Sequence, residues 1–133
     1  MVSPRSVYVH VPFCRKACHY CAFHFSTTRS SQTRVLKAMV RELELRLTDR
    51  ESGHRWPLET LYLGGGTPSL LEPEALTYLV NGLLEKFDVT TLQEFTLEAN
   101  PEDVHPKNLE LWKRLGVSRI SLGVQSVDDR FLE

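Results

Sequence analysis

The chain has no fourth cysteine. Its three, Cys14, Cys18 and Cys21, fall within residues 14–21 of 133, and an odd number leaves one thiol over in any disulfide scheme. No signal-peptide pattern points to an oxidising compartment either, so reduced thiols are expected. No second cysteine half-site follows, and the x3-then-x2 spacing departs from the paired Cys-x2-Cys knuckles of most zinc modules. No run of about 18 apolar residues occurs, which excludes a membrane-spanning helix. Neither sign of charge dominates, with Lys+Arg 16 against Asp+Glu 17, so there is no broad basic footprint for nucleic acid. A glycine run is present, but no Gly-Lys-Ser/Thr follows it and no Gly-x-Gly-x-x-Gly forms, which removes the phosphate-loop and dinucleotide readings.

What remains suits one globular core: 133 residues suffice for one and are too few for two ordinary domains. Met1 stands a few residues before the first strand with no Arg-rich presequence, so a cytoplasmic location is the expectation. Arg5, Arg15, Lys16, Arg29 and Arg34 make the amino-terminal end locally basic. They form either a solvated face or a surface for an anionic cofactor or substrate.

Strand and helix patterns alternate. Val7-Tyr8-Val9-His10-Val11 reads as a strand stopped by Pro12. A helix is predicted over Gln32 to Asp49, with Leu36, Met39, Val40, Leu43 and Leu47 on one face and Glu42 pairing with Arg46. Glu51 to Pro57 reads as a surface connection, and Thr60-Leu61-Tyr62-Leu63 as a buried strand running into Gly64. Pro73 opens a second helix whose apolar period runs Leu76, Leu79, Val80, Leu83, Leu84, Phe87. Glu94 to Glu98 is a third strand, Pro106 to Leu115 a third helix ended by Gly116, and Arg119 to Gly123 a fourth strand. Ser126 is expected to cap a further helix carrying Asp128 and Asp129 in its first turn.

Such an α/β alternation builds a parallel sheet with right-handed crossovers, and working residues collect at the carboxyl ends of its strands. Every unusual motif falls there: the cysteines after strand one, Gly64-Gly65-Gly66-Thr67-Pro68 after strand two, Glu98-Ala99-Asn100-Pro101 at strand three and Gly123-Val124-Gln125-Ser126 at strand four. The glycines allow close backbone approach, and their N–H groups could hold a carboxylate. Glu98, an acid ending an apolar strand, needs a partner: a ribose hydroxyl, an ammonium group, or a structural ion pair or cap. Gln125 either reads a ligand or binds backbone. Tyr8 and Tyr20 flank the cysteines as walls with a hydroxyl handle or as packing residues.

Three thiolates can hold three irons of a cubane cluster and leave the fourth iron without a protein ligand, a vacancy of no use to a cluster that only transfers electrons. The competing reading is zinc, with His10, His19 or His24 completing a Cys3His site in a zinc-stabilised interaction module.

Taken together, Tyr8 to Cys14, Cys18-His19-Tyr20-Cys21, Gly64 to Pro68, Glu98 to Pro101 and Gly123 to Ser126 resemble one branch of the radical S-adenosylmethionine (radical SAM) superfamily. That branch holds oxygen-independent coproporphyrinogen III oxidase and the heme chaperone HemW. The resemblance covers nearly the whole chain and implies a [4Fe-4S] cluster on Cys14, Cys18 and Cys21. It further implies S-adenosyl-L-methionine on the open iron, contacted by Tyr8, Tyr20, Gly65, Gly66, Thr67, Glu98 and Gln125. Reduction of its sulfonium would yield methionine and a 5′-deoxyadenosyl radical. No residue is assigned a catalytic role.

The implied fold is the amino-terminal part of a partial (β/α)6 barrel, about four strands of it. Residues 1–133 then form a truncated core domain, with the rest of the barrel and a carboxyl-terminal domain beyond. The oxidase has a further cysteine two places after the third ligand, where this chain has Ala22-Phe23. It also carries a long segment before its cluster loop. Both differences favour the HemW type, whose partners are heme, a heme acceptor protein and an electron donor such as flavodoxin or ferredoxin. The oxidase, which decarboxylates coproporphyrinogen III in porphyrin biosynthesis, is the alternative.

Overall fold

The computed structural model describes residues 5–47 and 55–132. Within them β1 is Ser6–Val11, α1 Gln32–Arg46, β2 Trp56–Pro57, β3 Thr60–Gly65, α2 Pro73–Leu84, β4 Phe87–Asp88, β5 Glu94–Ala99, α3 Pro106–Arg114 and β6 Arg119–Leu122. The order β1-β3-β5-β6 makes a four-stranded sheet, parallel throughout, in which each strand pairs with its successor in the βα series. Register aligns Tyr8 with Tyr62 and Thr96, and His10 with Gly64.

Period-two alternation sorts the side chains. Val9, Val11, Leu61, Leu63, Phe95 and Leu97 point to one face and join Leu36, Val40, Leu76, Leu79, Val80 and Leu83 of the helices in a single buried core. Tyr8, His10, Tyr62 and Glu98 fall on the opposite face, where Tyr8 is largely exposed. A polar face therefore lies behind a conventional apolar one, and it leads to the carboxyl rim where the motifs lie.

The helices follow local chemistry. Pro73 and Pro106 each occupy a first turn, where a missing N–H costs nothing. Gly116, at φ 96°, ends α3 in the left-handed region as its sequence position predicts. Glu42 and Arg46 pair across one turn of α1 at 2.6 Å.

Four expectations need adjusting. The described part of α1 ends at Arg46, with Leu47 as its cap; Asp49 lies outside the described residues. Residues 51–54 of the expected connection are also outside them, but its end is no surface linker: Trp56 is buried, and Trp56–Pro57 pairs in parallel with β4. Phe87 belongs to β4, not to α2, and is fully buried there. Its apolar character marked a core position and its coincidence with the helical period did not mark a helix. Finally, Ser126 caps no helix. Its hydroxyl accepts the Asp128 N–H at 3.0 Å, and Asp128 itself caps a single 3-10 turn, Asp129–Phe131. A side-chain turn has displaced the expected cap by two residues.

Candidate functional site

Pro12 ends β1, and the chain then leaves the sheet and comes back to it. Phe13, buried to 1% exposure, forms an isolated parallel bridge with Ser26. The Cys14 N–H donates to the Ser26 carbonyl at 3.0 Å and the Ser26 N–H to the Pro12 carbonyl at 2.7 Å. Residues 14–26 are thus a loop closed at its neck, and all three cysteines lie on it as free, half-buried thiols. Inside the loop the Cys21 N–H reaches the Cys18 carbonyl at 3.1 Å.

The glycine turn is laced to that neck. Gly66 N–H donates to the Val11 carbonyl at 2.8 Å and Thr67 N–H to the Phe13 carbonyl at 2.7 Å. A Cβ on Gly66 would lie 2.7 Å from the Phe13 oxygen and 2.8 Å from its nitrogen, and one on Gly65 would lie 2.6 Å from the His10 ring. Gly65 also sits at φ 109°, a conformation open to glycine and strained for other residues. The glycines are therefore required by the cysteine loop and its strand, which occupy the space a side chain would need. The Thr67 hydroxyl lies 3.7 Å from Cys14 Sγ as a donor. Burial pushes the Cys14 thiol up, and the Thr67 hydroxyl and the neighbouring cysteines modify that shift in opposite directions.

Glu98 is half-buried, with both oxygens engaged. Tyr62 OH donates to Oε1 at 2.7 Å and the Gly65 N–H to Oε2 at 3.2 Å. The carboxylate held by the glycine turn is thus the chain's own, and each oxygen keeps a further lone pair for an incoming donor. Tyr8 stacks obliquely on Tyr62, 5.8 Å between ring centres, and its OH lies 3.2 Å from His10 Nδ1. His10 Nε2 lies 2.7 Å from the His24 carbonyl, which only accepts, so Nε2 carries the proton and Nδ1 accepts from Tyr8. Burial and the Glu98 charge push the Tyr8 phenol up; for Tyr62 the Glu98 hydrogen bond is the largest cause.

Tyr20 is 70% exposed, with its phenol raised chiefly by a hydrogen bond to Cys18. Gln125, past the end of β6, is the one non-glycine at positive φ among the described residues, at 64°. Its amide folds toward Gly123, where a Cβ would come within 3.1 Å of Nε2. Named contacts therefore join Cys14, Thr67, Gly65, Glu98 and Tyr8 through the laced turn, Tyr62 and His10. Tyr20 is joined to Cys18, and Gln125 stands apart on the next strand end. Tyr62 was missed in the sequence, although alternation with Leu61 and Leu63 puts it on the face of Tyr8.

Three free thiols on one loop fit a cluster, in which each would bind a different iron. Among the described residues no three His, Cys, Asp or Glu side chains converge on one metal position, and both ring nitrogens of His10 are engaged within the chain. The radical SAM superfamily model matches residues 8–133. The chain belongs to the radical SAM superfamily. Membership implies a [4Fe-4S] cluster and S-adenosylmethionine.

Among its relatives, the heme chaperone HemW of Bacillus subtilis (strain 168) is 37% identical over 131 residues, covering 97% of this chain and 34% of the relative. An oxygen-independent coproporphyrinogen III oxidase of Bradyrhizobium diazoefficiens is 35% identical over 123 residues, covering 92% of this chain and 27% of the relative. The solved coproporphyrinogen III oxidase HemN of Escherichia coli, a radical SAM enzyme, superposes with a TM-score of 0.77 at 27% identity, over 96% of this chain and 29% of that one. The fold is thus that of the amino-terminal part of a HemN-like radical SAM protein. The chain spans about a third of the length of the curated HemW relatives it matches. No helix among the described residues is long and apolar enough to cross a membrane.

Proposed function

We propose that this chain is the amino-terminal part of the radical SAM core of a HemW-like heme chaperone. In this reading Cys14, Cys18 and Cys21 hold the [4Fe-4S] cluster, and Tyr8, Tyr20, Gly65, Gly66, Thr67, Glu98 and Gln125 line the S-adenosylmethionine site. The observation that carries it is the lacing of a three-thiol loop to the Gly64–Thr67 turn, with the carboxylate of Glu98 fixed on that same turn. The three cysteines would hold the cluster and the glycine turn with Glu98 would hold the cofactor, and that pair would supply one-electron reductive chemistry when bound.

The chain's own residues have separate tasks. Thr67 offers its hydroxyl to the Cys14 sulfur, and a hydrogen bond to a thiolate stabilises its charged form. Glu98, oriented from both sides by Tyr62 and Gly65, presents its remaining lone pairs to an ammonium or ribose hydroxyl. His10, fixed by Tyr8 and the His24 carbonyl, props the loop against β1. Tyr20, exposed beside Cys18, offers its ring and hydroxyl at the open side of the cysteine loop.

The truncated-domain reading agrees with the coverage of the relatives and with the edge strand β6, past which Val127 is 97% and Phe131 74% exposed. Such apolar surface at an open edge is what further βα units would cover. HemW over oxidase rests on the names of the relatives and on Phe23 at the position of the oxidase's extra cysteine. In the full-length protein, we expect heme to bind with a saturable absorption change and to pass to an acceptor, with flavodoxin or ferredoxin as electron donor. Chromatographic detection of decarboxylated porphyrinogen from coproporphyrinogen III, without heme binding, would move the protein to the oxidase.

A further inference from the structure

Asp103 is an acid at 4% exposure that none of the motifs explains. It lies in the 3-10 turn Pro101–Asp103 after β5, and each of its oxygens has one partner. The Ser69 hydroxyl donates to Oδ2 at 2.6 Å, and Arg15 Nη2 meets Oδ1 at 2.5 Å. Ser69 Oγ in turn accepts the Asn100 N–H at 3.3 Å, and Arg15 spreads its second arm to Glu102 at 2.9 Å. Arg15 directly follows Cys14, Ser69 lies two residues past Thr67, and Asn100 two past Glu98. One carboxylate therefore connects the cysteine loop, the glycine turn and the end of β5.

We propose that Asp103 is a positioning residue, which through Arg15 and Ser69 sets where the cysteine loop stands relative to the turn that carries Thr67 and the strand that carries Glu98. A carboxylate this deeply buried is strongly penalised without partners, so its two partners are held in return. The neck of the loop is already fixed by backbone bonds to Ser26 and Pro12 and to the glycine turn through the Thr67 N–H on the Phe13 carbonyl, but none of those bonds reaches the segment after β5. The Arg15–Asp103 pair spans 88 residues and ties the loop to the turn that follows β5.

The test uses the intact protein and two readouts. Hydrogen exchange is compared for wild type, Asp103→Asn, Arg15→Gln and the double variant. Peptides covering 14–26 should exchange about tenfold faster in each single variant, and in the double no faster than in either single, because the two residues act as one unit. Peptides of β3 and β5 should change by no more than the loss of global stability, read from urea unfolding of the same variants, accounts for. Unaltered exchange over 14–26 in Arg15→Gln, or additive effects in the double variant, overturns the proposal. Arg15 is half-exposed, so Arg15→Gln remains decisive if Asp103→Asn fails to fold.

The second readout, the electron paramagnetic resonance signal of the reduced cluster after anaerobic reconstitution, rests on the cluster assignment made above. Both single variants should shift its g-values, and identical signals in all forms contradict a role at the cluster. A wild-type protein that takes up no iron and sulfide ends the cluster assignment instead, and the exchange experiment then judges Asp103 alone.

Discussion

Tyr62 OH donates to Glu98 Oε1 at 2.7 Å from the neighbouring strand, while the Gly65 N–H holds the other oxygen at 3.2 Å. The acid proposed to meet the cofactor is thus oriented at both oxygens by β3 before any ligand arrives. Such preorganisation favours binding because less ordering remains to be done. Tyr62→Phe removes one donor from a half-buried charged acceptor and should lower stability by about 1.5 kcal/mol. Urea unfolding reads this, and the slope should stay that of wild type. S-adenosylmethionine affinity should fall in parallel, since the second Glu98 orientation is lost.

The same contact gives a sign at alkaline pH. Tyr62 has its phenol raised above the ordinary value, first by the Glu98 hydrogen bond and then by burial. The folded state therefore holds that proton more tightly than the unfolded chain. Its contribution is fully present below the ordinary phenol range near pH 10 and is lost as pH rises through the higher folded value. Wild type should lose stability more steeply above about pH 10 than Tyr62→Phe does. Equal slopes in a pH series of urea midpoints would remove the charge coupling.

Gly66 has no room for a side chain. Its Cβ would lie within 2.9 Å of three backbone atoms, Phe13 O, Phe13 N and Val11 O. Backbone cannot move aside as a flexible side chain can, so Gly66→Ala should cost about 1–3 kcal/mol. It should also lower iron uptake on reconstitution, because the displaced segment carries Cys14. Thermal unfolding combined with iron analysis checks both.

Phe87 and Tyr20 are both aromatic and should behave oppositely. Phe87 is buried to 1% exposure in β4, and Phe87→Ala should destabilise by about 3–5 kcal/mol through transfer and cavity terms. Tyr20→Ala should stay within about 0.5 kcal/mol of wild type, yet alter cofactor binding. Urea denaturation of the two variants side by side tests the contrast.

The sheet was legible because its strands combine period-two alternation with turn residues at both ends, and three helices because proline or apolar period marks them. Phe87 was misplaced since i+3 and i+4 spacing past Leu84 cannot distinguish a continuing helix from a buried strand. Trp56 was hidden by the adjacent Pro57, a residue that reads as punctuation. The cysteine and glycine motifs stand out in sequence because each breaks local pattern. The Asp103 junction does not: Arg15, Ser69 and Asp103 are ordinary residues, and only the packing of three loop ends brings them together. Tyr62 lay between, visible as a strand position but not as a partner of Glu98, whose register is a tertiary fact.

The most direct test of a cluster with an open iron is anaerobic reconstitution with iron and sulfide, followed by electron paramagnetic resonance of the reduced protein with and without S-adenosylmethionine. A reduced [4Fe-4S] signal whose g-values change on adding the cofactor is the predicted result. A cluster signal indifferent to the cofactor, or zinc in place of iron and sulfide, would contradict the account.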